Sequence, residues 1–170
     1  MHVTITPAPS ATWERYRDLR LAALAESPEM FGSTLRRESA FGDDVWRSRS
    51  THPGAFIASI DGEDVGIGGV YDMSGRWVVN GVWVAPDHRG QGAVDALMVA
   101  CADYVSSRGA DTIHLGVMES NPRGIAAYTR LGFTPDGASE TFPDGRIEIM
   151  MSRPVATGGA EHPGKRSLSD

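Results

Sequence analysis

The chain has 170 residues, 41% hydrophobic and 22% charged, a balance that suits one globular domain and not a disordered chain. No run of about 18 apolar residues exists for a membrane span, the N-terminal segment lacks the pattern of a signal peptide, and the single Cys101 cannot form an internal disulfide. A cytoplasmic protein is therefore expected, and its net charge of −6 argues against nucleic acid while allowing a cationic substrate.

Val3–Thr6 alternates and stops at Pro7, as a short first strand would. Trp13, Tyr16, Leu19 and Ala23 recur at helical spacing, with Ser10 or Thr12 as candidate cap and Pro28 beyond the end. A weaker helical stretch runs from about Leu35 to Ser50. From Ala55 the period changes to that of strands: Ala55–Ile60, an Asp61-Gly62 turn, Val65–Tyr71, then Trp77–Val84 stopped by Pro86. Val94, Leu97, Met98, Cys101 and Val105 form one apolar helical stripe that ends at Gly109. Ile113, Leu115 and Val117 alternate as a fifth strand. Ile125, Tyr128 and Leu131 suit a short helix, and two last strands fit Phe133–Phe142 and Ile147–Met151. The order β-α-α-β-β-β-α-β-α-β-β predicts an α/β (α+β) fold, a mixed sheet of seven strands with helices on both faces. Residues 1–153 make the domain, and the Gly-, Ser- and charge-rich residues 154–170 are expected to form a disordered tail.

The most informative stretch is Val82-Trp83-Val84-Ala85-Pro86-Asp87-His88-Arg89-Gly90-Gln91-Gly92-Ala93-Val94. A strand, a Pro-stopped turn and a glycine-containing loop lead into a helix start. Such a loop gathers backbone N–H groups at the positive end of a helix, which suits a phosphate or pyrophosphate. Arg89 can add a charge-assisted contact. Other phosphate loops fit worse: the dinucleotide pattern fails at Asp95, and the Gly-Lys-Ser/Thr of the nucleotide P-loop is absent. On spacing alone, Gly90 and Gly92 are equally well read as a plain surface turn.

Arg89-Gly90-Gln91-Gly92-Ala93-Val94 resembles the cofactor loop of the GNAT (GCN5-related N-acetyltransferase) superfamily, Arg/Gln-x-x-Gly-x-Gly/Ala. Asn121-Pro122-Arg123-Gly124-Ile125-Ala126-Ala127-Tyr128 with Leu131-Gly132-Phe133 is similar to that family's later Asn…Tyr…Gly-Phe segment. Leu19–Leu24 with Pro28 and Phe31-Gly32 looks like its first helix. Two positions depart from the pattern. Val94 stands where the family has Gly or Ala, so Val94→Gly is expected to tighten acyl-CoA binding, and equal or weaker affinity in calorimetry overturns this. Asp95 puts a carboxylate in the first helical turn, where at ~6 Å and an effective dielectric of about 20 it would repel a phosphate by roughly 2–3 kcal/mol. A carboxylate there also favours the helix, so Asp95 is read as facing solvent and capping an N–H.

The resemblance implies an acyl-CoA-dependent N-acyltransferase using acetyl-CoA as cosubstrate. Its acceptor would be a primary amine of a small molecule or peptide, attacking the thioester directly. The pantetheine arm would lie between splayed strands, along Val82, Trp83 and Val84, with Arg89, Gly90, Gln91, Gly92, Ala93 and Val94 around the pyrophosphate and Asn121 beside the arm or capping its helix. Tyr128 would stand near the sulfur, although its spacing from Ile125 also suits a core aromatic. With unperturbed groups, full proton transfer from tyrosine to a thiolate is uphill by about 2 kcal/mol, so a hydrogen-bonding role fits better. The strand Trp77–Val84 carries Asn80 and no carboxylate. The general base is left among Glu119, ranked first, His114, Glu148 and water. The loop at Met30-Phe31 and the turn at Thr141–Arg146 would bound the acceptor. A homodimer follows from the same resemblance, and no metal is expected because no His or Cys pair has ligand spacing. A non-catalytic acyl-CoA-binding module is the competing reading.

Overall fold

The computed structural model describes residues 1–156. The strands are β1 (Val3–Pro7), β2 (Ala55–Ile60), β3 (Glu63–Met73), β4 (Arg76–Val84), β5 (Thr112–Met118), β6 (Thr134–Thr141) and β7 (Ile147–Pro154). The helices are α1 (Trp13–Glu26), α2 (Leu35–Ser39), α3 (Asp43–Ser50), α4 (Ala93–Ser107) and α5 (Pro122–Arg130). One seven-stranded sheet has the order β1-β2-β3-β4-β5-β7-β6. Every neighbouring pair is antiparallel except β4 and β5. That parallel pair is joined by α4, as a parallel connection requires.

Burial follows the strand period of two. In β2, Phe56, Ala58 and Ile60 face one core while Ala55 and Ile57 face another, so all six residues are buried. The first core packs α4 and the Ile125, Tyr128 and Leu131 side of α5 against the sheet. The second packs Trp13, Tyr16, Leu19, Ala23 and Leu24 of α1 with Trp46 of α3 on the opposite face. Cys101, on the α4 stripe, is fully buried and burial pushes its thiol up to about 12, which makes it an inert packing residue.

Three expectations change. The stretch from Leu35 to Ser50 is two helices, because Ala40–Gly42 breaks it and Gly42 takes the N-cap position of α3. Thr12 is the N-cap residue of α1, but its side chain makes no capping hydrogen bond. The last strand extends to Pro154, and Val155 is buried with its N–H on the carbonyl of Asp111. The ordered domain therefore passes the boundary expected at 153; the rest of the expected tail, residues 157–170, lies outside the described residues.

Candidate active site

The site is built where β4 and β5 part. Their parallel ladder joins Trp77 to Ile113, Val78 to His114 and Val79 to Leu115, and goes no further. Beyond Val79, the edge of β4 that faces β5 has no ladder partner. The cause lies on the other edge of β4. There Gly69 pairs with Asn80 and Ile67 with Trp83, so β4 carries one more residue than β3 in that interval. This β-bulge holds Gly81 at φ +67°, and bulges bend the strand that bears them. The resulting gap leaves backbone N–H and C=O groups of β4 open to an extended ligand.

After β4, Pro86–His88 forms a single 3-10 turn and the chain enters α4 through Gly90 (φ +74°) and Gly92 (φ +87°). Both adopt the left-handed conformation that glycine takes at no steric cost. Gly92 is the N-cap and provides no side-chain acceptor, so the first-turn N–H groups of α4 are left for an external anion. That is the cradle a pyrophosphate needs, and its residues fit the group.

The two departures from the loop pattern have structural answers. Asp95 faces solvent as expected, with 40% of its side chain exposed, but it caps no N–H. It accepts two hydrogen bonds from Arg130 of α5, at 2.7 and 2.9 Å, and the pair holds its carboxyl below the usual carboxylate range. Its charge is thereby countered beside the cradle. Val94 is half-buried and packs on the first core. Arg89 does not reach into the cradle. Its guanidinium donates to Glu26 (2.7 Å) and to the carbonyl of Val84 (2.9 Å). Glu26 also accepts from the indole N–H of Trp83 at 3.0 Å. Trp83 and Arg89 thus tie the end of α1 to the loop, and Trp83 turns its ring into the second core. Val84 is buried in the first core. Of the three β4 residues expected beside the arm, Val82 alone lines the cavity. Gln91 braces the loop by donating to the carbonyl of Asp87.

A cavity of about 660 Å³ opens at the strand gap, with Val79, Asn80, Gly81 and Val82 on one wall and Leu115–Met118 on the other. Asn121 lines it and caps α5, accepting from the N–H of Gly124 at 2.9 Å. Tyr128 lines it too, with its ring edge-on to Phe133. Burial, with Cys101 adding to it, pushes the Tyr128 phenol up to about 12.

Among the candidate bases, the first choice does not reach the site. Glu119 is exposed at the end of β5 and is not part of the cavity wall. His114 is not in the wall either; burial, then Arg76, lowers its pKa. Glu148 of β7 is in the wall, half-buried. Its carboxylate lies over Gly116, where a Cβ would come within 2.4–2.7 Å of its carboxyl atoms. Burial, then the nearby Glu140, raises the Glu148 carboxyl. Glu140 stands directly opposite it on β6 and also lines the cavity. Glu140 was legible by counting outward from the Pro143-Asp144-Gly145 turn, since residues four before and four after Asp144 face one another in a hairpin.

Met30 and Phe31 of the loop after α1 and Phe142 of the β6–β7 turn also line the cavity. Arg146 latches them, donating to the carbonyls of Glu29 and Phe31 at 3.0 Å each. Sequence reasoning missed a charged triad in the cavity wall. Arg20 of α1 forks Glu38 of α2 at 3.0 and 2.8 Å, and Arg49 of α3 donates to it at 2.9 Å. Three helices supply these residues, so no local spacing announces them. Burial alone would raise Glu38, but the two guanidinium groups outweigh it and hold it low.

Residues 13–133 match the model of the acetyltransferase (GNAT) family. Streptothricin acetyltransferase of Streptomyces lavendulae is 32% identical over 121 residues, 66% of this chain and 64% of that protein. Mycothiol acetyltransferase of Stackebrandtia nassauensis is 33% identical over 128 residues, 71% of this chain but 40% of that protein. The chain thus spans under two thirds of the length of these curated relatives. In fold, the phosphinothricin acetyltransferase of Sinorhizobium meliloti, solved with acetyl-CoA, superposes with a TM-score of 0.73 over 97% of this chain and 95% of that one, at 20% identity.

Proposed function

The chain belongs to the acetyltransferase (GNAT) family, and from that premise we propose that it transfers an acetyl group from acetyl-CoA to a primary amine of a small molecule or peptide. The observation that carries this reading is the continuity of parts. An uncapped helix start at Gly92 leads to an unpaired β4 edge, and that edge opens on a cavity holding both a protonated phenol and a carboxylate of raised pKa.

Acetyl-CoA supplies a thioester whose carbonyl carbon takes the amine nitrogen and whose sulfur leaves with the bonding electron pair. The N–H groups of Gly92–Asp95 hold the pyrophosphate, and the β4 edge at Gly81–Trp83 pairs with the amides of the arm. A β4 backbone N–H past the bulge stabilises charge growing on the carbonyl oxygen. Glu148 removes one proton from the entering ammonium, so that the nitrogen lone pair is free; this replaces Glu119 as the favoured base. Tyr128, at about 12 against a thiol near 8.5, does not surrender its proton, since full transfer would be uphill by about 5 kcal/mol. It donates a hydrogen bond to the leaving sulfur; of the two protons then left on nitrogen, one passes to the thiolate and the other stays on the product amide. Countered by Arg130, Asp95 does not block the cradle, which weighs against a non-catalytic binding module. Cytoplasmic residence, a homodimer and independence from metal belong to the same reading. Among the described residues no three His, Cys, Asp or Glu side chains gather as a metal cluster.

The test is release of free CoA thiol from acetyl-CoA with a broad panel of primary amines, with acetyl-CoA binding measured by calorimetry. Amine-dependent release is expected. Binding without release for every amine would leave a binding module in its place.

A further inference from the structure

The cleft wall carries two charged clusters of opposite sign. In the cluster from α1–α3, two guanidinium groups share one carboxylate. Glu38 is 1% exposed and is satisfied by Arg20 and Arg49, whose side chains are 12% and 35% exposed. The triad keeps a net positive charge. Arg20 uses Nε and Nη2, and Arg49 uses one Nη, so N–H donors remain on both. Both arginines line a smaller cavity of about 340 Å³, whose lining also carries Tyr16, Tyr71 and Asn80 and no carboxylate. It adjoins the main cavity, and Arg20, Arg49, Met73, Asn80 and Gly81 line both. A guanidinium largely withdrawn from water and only partly partnered is costly unless an anion completes it.

In the β6–β7 cluster the imbalance has the opposite sign. Glu140 and Glu148 stand directly opposite on neighbouring strands, and among the described residues neither has a cation within ion-pair distance. Like charges in that register destabilise a sheet. One positive group between them would relieve the repulsion, and Glu148 is the group assigned above to take its proton.

We propose that the acceptor is an amine that also bears a carboxylate, its ammonium received between Glu140 and Glu148 and its carboxylate on the free donors of Arg20 and Arg49. The inference rests on the acetyl-transfer reading and names the acceptor class of that same site. A plain alkylamine leaves the arginine cluster uncompleted, and a diamine brings a second cation to it. Arginine is suited to the task, since its planar fork matches a carboxylate.

The experiment compares ω-amino acids of three to six carbons and a dipeptide with their carboxamides, and with alkylamines and diamines of equal length, by CoA release. At least one amino acid is expected to exceed its carboxamide about tenfold or more in kcat/KM. Arg49→Gln is expected to bring the acid down toward the carboxamide, chiefly through KM. Carboxamides or diamines used as well as the acids, with release intact, would overturn the inference and leave acetyl transfer standing. Absence of release with every amine would count against acetyl transfer itself. The inference is then decided by calorimetry of acids and carboxamides on the protein with CoA: tighter binding of an acid upholds it, and equal binding overturns it.

Discussion

Glu148 shows how one side chain can be set for a task by its surroundings. Burial and Glu140 raise its carboxyl, so the folded state binds its proton more tightly than the unfolded chain does. Stability from this group is therefore present at low pH and declines as pH rises through the raised value, while the base becomes competent over that same rise. Glu148→Gln should lower kcat/KM by about 10²–10⁴-fold and remove the acid limb of the rate profile. It should also raise the melting temperature near neutral pH, where the charged pair is repulsive. A melting temperature unchanged or lowered at pH 7 would show that the Glu140–Glu148 repulsion is not felt. Tyr128 stays protonated across any ordinary assay range, because its phenol titrates at about 12. Tyr128→Phe should reduce turnover about 10²-fold without moving the alkaline limb below pH 10. Unchanged turnover would reduce Tyr128 to a packing partner of Phe133.

At the scale of elements, the N-terminus of α4 depends on α5. The positive end of a helix attracts phosphate, but a carboxylate in its first turn works against that unless another charge offsets it. Arg130 supplies the offset from the last turn of α5. Arg130→Ala should raise KM for acetyl-CoA several-fold at low salt and less at high salt, since exposed charges are screened. Adding Asp95→Asn to that variant should restore the affinity. A double variant as weak as the single one would assign Arg130 a direct contact with the cofactor. The link through Glu26, Trp83 and Arg89 similarly connects the first helix to the loop, so the loop is held from two sides before any ligand arrives.

At the scale of the whole molecule, the bulge in β4 decides whether there is a cleft. Gly81 sits in left-handed backbone, and a Cβ there would come 3.3 Å from Nη1 of Arg20. Gly81→Val should cost about 1–2 kcal/mol from backbone strain, a fall in melting temperature of roughly 2–8 °C. It should also weaken acetyl-CoA binding by re-aligning the β4 edge. Full affinity in a folded Gly81→Val protein would mean that the strand gap does not depend on this residue.

Period and punctuation in the sequence determined much of this protein. The alternation in Ala55–Ile60, the apolar stripe of Val94–Val105 and the glycines at 90 and 92 are local signals, because helices and strands repeat over a few residues. They were enough for seven strands, for α4 and for the uncapped loop ahead of it. They did not reveal the break at Ala40–Gly42, since a weak helical pattern continues across it. Charges were the least legible, because an ionisable side chain is defined by neighbours distant in sequence. Asp95 of α4 met Arg130 of α5, and Arg89 of the loop met Glu26 at the end of α1. Glu148 rather than Glu119 entered the cavity because Gly116 left room on the adjoining strand. The net positive triad came from three separate helices. The sequence alone determined the frame and the uncapped start of α4; only the tertiary structure decided which charges face the cleft, since long-range packing and not spacing brings opposite or like charges together.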